Sequence, residues 1–121
     1  MNAKANLMFS HNWNNKLNNT VFTVIVKSSQ LYKAGEIVDI YLKESATNTV
    51  FPPSYNLIGK GEILEKITTL AGQLSEYTCM MNYGTNKGEC LKMLQKFYRV
   101  SSENIETLAV DILLVKNLKN K

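Results

Sequence analysis

An α+β fold built on a small, partly closed β-barrel is what this sequence predicts, and three observations predict it. Short runs rich in β-branched and aromatic residues recur along most of the chain, at Thr20 to Lys27, Glu36 to Lys43, Tyr55 to Leu70 and Leu108 to Leu118. Gly59 and Gly61 interrupt the third run, which suits a bulge or a barrel bend. Two helical segments sit together late in the chain and are followed by a last strand.

Each element has a local reason. Asn2 to Phe9 forms a short strand with an apolar end at Leu7, Met8 and Phe9. Ser10 is a candidate N-cap for a helical turn that places Trp13 and Leu17 on one face, and Asn18-Asn19 closes it. Thr20 to Lys27 is the clearest strand and reads as buried on both sides. Ser28 to Ala34 is a loop, Gly35 breaks the chain, and Ser45 to Ser54 with Pro52-Pro53 is an excursion. Ser75 to Asn82 is a short helix ended by Gly84. Asn86 and Glu89 form a capping box for a second helix, whose apolar stripe is Cys90, Leu91, Leu94, Phe97 and Tyr98.

The chain has 121 residues, of which 45% are hydrophobic and 20% charged, proportions of a single globular domain spanning 1-121. Met1 to Phe9 carries one lysine and no long apolar run, so it does not read as a secretory leader, and no run is long enough to span a bilayer. Cys79 and Cys90 lack CxxC spacing and, with His11, are too few for a zinc site. Reduced thiols point to a cytoplasmic protein. No cofactor signature is present, and Gly59-Lys60-Gly61 lacks the third glycine and the helix of a nucleotide loop.

The net charge of +4 favours a polyanionic partner. Arg99 is the single arginine among fourteen cations, so the charge is carried by lysines, which bind phosphate as point charges rather than as forks. Lys27, Lys33, Lys43 and Lys60 are expected at strand ends or loops, where a barrel rim would collect them, and Tyr32 and Tyr55 add stacking faces. Lys92, Lys96 and Arg99 form a basic stripe on the second helix. Trp13 could stack on a base, or pack against Leu17.

The string Phe22-Thr23-Val24-Ile25-Val26, a polar loop, and then Tyr32-Lys33-Ala34-Gly35-Glu36-Ile37-Val38 resembles the first half of an ASCH (activating signal cointegrator homology) domain of the PUA-like superfamily. Gly59 to Leu64 resembles its central strand, and the helix pair Ser75 to Tyr98 and the strand Thr107 to Val115 keep its order, so the resemblance covers Leu7 to Val115. It implies a PUA-like mixed barrel flanked by short helices, a cleft beside the first helix and the following strand, and RNA binding. Some small members resemble amidohydrolases of acylated cytidine, with Lys-Thr-x-Thr-x-Arg on the strand and a carboxylate on a later helix. Aligned on Gly35, those positions fall on Val21, Val24 and Val26, with the carboxylate near Asn82 or Tyr83, and only Thr23 keeps a hydroxyl. Catalysis is therefore expected to be lost. The expected nucleic-acid site comprises Trp13, Lys16, Thr23, Lys27, Tyr32, Lys33 and Lys60, with RNA or a modified nucleoside as partner. The alternatives are a divergent amidohydrolase of a modified nucleoside, using Thr23 with Lys16 reaching in from the preceding turn, and a protein-interaction domain.

Overall fold

Val21–Lys27 (β2) carries Val, Ile, Phe and Thr almost without interruption, and it lies antiparallel to Ala109–Leu118 (β5) with Phe22 opposite Val115 and Ile25 opposite Ile112. These strands belong to a computed structural model that describes residues 5–9, 12–43 and 55–118, with the side chains of 13–15 outside that description. The sheet is completed by Asn6–Phe9 (β1), Ile37–Lys43 (β3) and Tyr55–Leu70 (β4), in the order β1-β3-β4-β5-β2. β1 runs parallel to β3; every other pairing is antiparallel.

The sheet curls because β4 serves two partners. It pairs with β3 through its first half and with β5 from Lys60 onward, and the register slips opposite Ile40/Tyr41 and again at Ile63/Glu65. Each slip adds one residue on β4 and sharpens the twist. Gly61 lets the curl tighten: a Cβ there would lie 2.5 Å from Val115 Cγ1 and 3.2 Å from Ile40 Cδ1. Gly61→Ala is therefore expected to cost about 1–3 kcal/mol by overpacking, read as a lower urea midpoint at unchanged slope.

The result is a five-stranded half-barrel whose outer strands, β1 and β2, approach without pairing. Phe9 and Phe22 close the interior across this seam, edge to face, with ring centroids 6.2 Å apart. Alternation along β2 sends Phe22, Val24 and Val26 inside with Leu7, Val38, Ile40, Ile63, Leu113 and Val115. Ile25 and Val110 face the other way and form a second core with helices Glu76–Tyr83 (α1) and Lys87–Tyr98 (α2).

The helix signals read as expected. Ser75 caps α1 by accepting from the Thr78 amide, and Gly84 ends it in the left-handed region at φ 69°. Asn86 accepts from the Glu89 amide, but the Glu89 carboxylate lies 3.5 Å from Lys92 Nζ, so one half of the capping box is an ion pair instead. The turn Trp13–Asn18 is a 3-10 helix that drops Leu17 into the barrel core, and Asn117 Nδ2 pins it by donating to the Leu17 and Asn19 carbonyls. Ser10, His11 and Ser45 to Ser54 lie outside the described residues. None of the described helices is long and apolar enough to cross a membrane.

Candidate functional site

The open seam leaves a cleft of about 310 Å3. β1 contributes Asn6, Met8 and Phe9; β2 contributes Val24, Ile25 and Val26; Tyr32, Tyr55, Tyr83, Phe97 and Tyr98 complete the lining. Six of these residues are aromatic. α1 and α2 deliver Tyr83, Phe97 and Tyr98 from their last turns, while the loop after β2 delivers Tyr32 and the start of β4 delivers Tyr55.

Two of the tyrosines also guard the edge of β2. Thr20 accepts from the Asn117 amide and Ser28 donates to the Ala109 carbonyl, so the even-numbered backbone groups of β2 face β5 and the odd-numbered ones face the seam. Tyr83 Oη donates to the Ile25 carbonyl at 3.3 Å, and the Lys27 backbone hydrogen-bonds the Tyr98 hydroxyl. An edge so covered resists pairing with a foreign strand. Burial raises the phenol pKa of Tyr83, Tyr98 and Tyr32; the Lys27 contact opposes this at Tyr98, and the neighbouring Tyr98 and Asp111 add to it at Tyr32. The cleft therefore presents neutral hydroxyls at neutral pH.

Behind the cleft lies Lys16, only 4% exposed. Its Nζ donates to Asn82 Oδ1 at 3.2 Å and sits 5.1 Å from the Tyr83 ring centre and 5.7 Å from that of Phe9. Among the described residues no carboxylate pairs with it, whereas Lys60 has Asp39, Lys66 has Asp111 and Lys92 has Glu89. Burial pushes its pKa down to about 7, with Cys90 opposing weakly. Cys79 and Cys90 are fully buried, and burial together with the Cys79 contact pushes the Cys90 thiol up, away from reactivity.

One buried carboxylate holds the loop that carries Tyr32. Asp111 has no exposed surface and accepts from Thr68 Oγ1 at 2.6 Å, Ser28 Oγ at 3.0 Å and the Ser29 amide at 3.0 Å. Lys66 Nζ lies 3.5 Å away and donates to the Ser29 and Tyr32 carbonyls. The sequence marks Asp111 only as an interruption of the last strand; its partners lie far away along the chain.

The structure brings together part of the expected site. Tyr32 lines the cleft, Lys33 follows it, and Lys27 follows Val26 at the exposed end of β2. Lys43 lies opposite Tyr55 in the ladder, while Lys96 and Arg99 flank Phe97 and Tyr98. Lys60 is elsewhere: it sits within β4 rather than at a strand end, 2.6 Å from Asp39, in a separate hollow of about 840 Å3 with Asn12, Leu17 and Asn117. Thr23 is half-buried on the face of β2 opposite Val24 and is not a lining residue. The side chain of Trp13 lies outside the described residues. Phe97 was expected in the core stripe of α2; it is 42% exposed and walls the cleft instead. No cluster of three or more His, Cys, Asp or Glu side chains occurs among the described residues. Comparison with protein-family models, with curated proteins and with solved structures returns no match to this chain.

Proposed function

We propose that this chain is a non-catalytic, PUA-like RNA-binding module that seats unpaired bases in the seam cleft. The observation that carries this reading is the coincidence of aromatic lining and flanking cations. Phe9, Tyr32, Tyr55, Tyr83, Phe97 and Tyr98 offer stacking faces in one cavity. Lys27, Lys33, Lys96 and Arg99 are exposed beside them in sequence, and a single strand threading the cleft would bring its phosphates to these cations. Hydrolysis is not part of the reading: Val24 and Val26 present hydrocarbon to the cleft, and Thr23 faces away from Val24.

The test is fluorescence anisotropy of a short single-stranded RNA at several salt concentrations. The logarithm of the affinity is expected to fall with the logarithm of salt at a slope of about −2 to −3.5, as for three to five phosphate contacts. No binding at low salt would refute the reading. One observation favours a protein-interaction surface instead: β4 exposes Leu57, Ile58, Leu64 and Ile67. Sedimentation of the pure protein as a concentration-dependent dimer would support that second reading.

A further inference from the structure

We propose that Asn6 reads the edge of a base seated in the seam cleft, its Nδ2 donating to one base atom while its Oδ1 accepts from the next. This rests on the reading of the cleft as a base-binding site and deepens it: the ligand is a nucleobase with an unpaired hydrogen-bonding edge, not any flat ring. Asn6 and Met8 stand on the outward face of β1, while Leu7 and Phe9 enter the core. That alternation sets an exposed amide in the wall of an aromatic cavity. Stacking fixes the plane of a base, and an amide at its rim fixes its rotation within that plane.

The other polar groups of the lining are less able to read an edge. The Tyr83 hydroxyl is committed to the Ile25 carbonyl and the Tyr98 hydroxyl to the Lys27 backbone. The hydroxyls of Tyr32 and Tyr55 rotate, and each offers a single oxygen. Asn6 is the one lining side chain that holds a donor and an acceptor at fixed separation. All four bases present that pattern in reverse somewhere along an unpaired edge. The amide is also available: among the described residues no hydrogen bond ties it down. Asp39, its partner in the ladder, is held by Lys60 at 2.6 Å. A base in a duplex has its pairing edge occupied and its faces covered, so this contact favours single strands.

The experiment is a cycle of four affinities, measured by anisotropy at low salt. The full chain and its Asn6→Ala variant each bind a labelled oligoadenylate and the same oligomer with 4-methylindole in place of adenine. The analogue keeps the two-ring face and loses the edge atoms. The wild type is expected to favour adenine by at least about fivefold, the loss of one bidentate contact. Asn6→Ala is expected to bind both oligomers alike, with the wild type's affinity for the analogue. Equal discrimination by the two proteins would overturn the role of Asn6 and leave the base-binding reading standing. No binding of either oligomer by the wild type would overturn both.

Discussion

Replacing Asp111 with alanine is expected to destabilise the protein by about 3–5 kcal/mol, the cost of breaking a buried charged network by removing one partner. Three donors lose their acceptor at once, the Ser28 and Thr68 hydroxyls and the Ser29 amide, and the Lys66 ammonium loses its counter-charge while keeping the Ser29 and Tyr32 carbonyls. Urea denaturation measures the loss. Asp111→Asn is expected to fall between the two, because the amide fills the space but cannot neutralise Lys66. The same carboxylate adds an acid limb to the stability profile. Burial alone would raise its pKa, but the bonds from Thr68, Ser29 and Ser28 and the charge of Lys66 outweigh that and hold it below 3.8. A carboxylate depressed on folding contributes stability above its unfolded pKa and loses it as pH falls through the folded value. Its contribution should therefore fade below about pH 3.8, and Asp111→Asn should flatten that limb. Loosening this pin also frees Tyr32, so ligand affinity should fall in Asp111→Asn under conditions where the protein is still folded.

Lys16→Met is expected to act in the opposite direction, stabilising by about 1–4 kcal/mol at pH 7 as a hydrocarbon of similar length fills the site. The wild type should show the reason in its pH dependence. The folded lysine titrates at about 7 and the unfolded one at 10.5. Between these values the unfolded chain binds the extra proton, so stability rises with pH, by about 1.4 kcal/mol per pKa unit separating the two states. Below pH 7 both states hold the proton and the slope vanishes. Lys16→Met should remove the rise. Denaturant midpoints at pH 6, 8 and 9.5 distinguish this from a lysine whose charge stabilises the fold, which would give lower stability in Lys16→Met at every pH.

Most of the fold was legible because its signals are local. Ser75, Gly84 and Asn86 bracket the helices through contacts a few residues long, and β-branched runs set β2 through β5 to within a residue or two. The bend at Gly59 was legible, since glycine in a strand has few other uses, whereas the slip between Ile63 and Glu65 has no glycine to mark it. The site was legible only in part. Tyr32, Lys27 and Lys33 stand out in an exposed loop and at a strand end. Tyr83, Phe97 and Tyr98 sit in helices, where the same spacing describes a core stripe, and only the seam between β1 and β2 makes them a wall. Lys16 is expected to reach toward the cleft from its asparagine-rich turn, but nothing local marks it as buried. Its burial depends on Asn82 and Tyr83, more than sixty residues away. Lys60 shows the converse: a lysine beside glycines suggests a rim, whereas β4 is long enough to carry it into a ladder opposite Asp39.

The most direct test of the seam as a base-binding cleft is the affinity of single-stranded RNA for the wild type and for Phe97→Ala at low salt. Phe97 is half-exposed and outside both cores, so the substitution removes a stacking face with little effect on folding. Loss of one base–aromatic stack, about 1–3 kcal/mol, predicts roughly 5- to 150-fold weaker binding with an unchanged salt slope. Equal affinity in the two proteins, or no binding by either, would contradict the account.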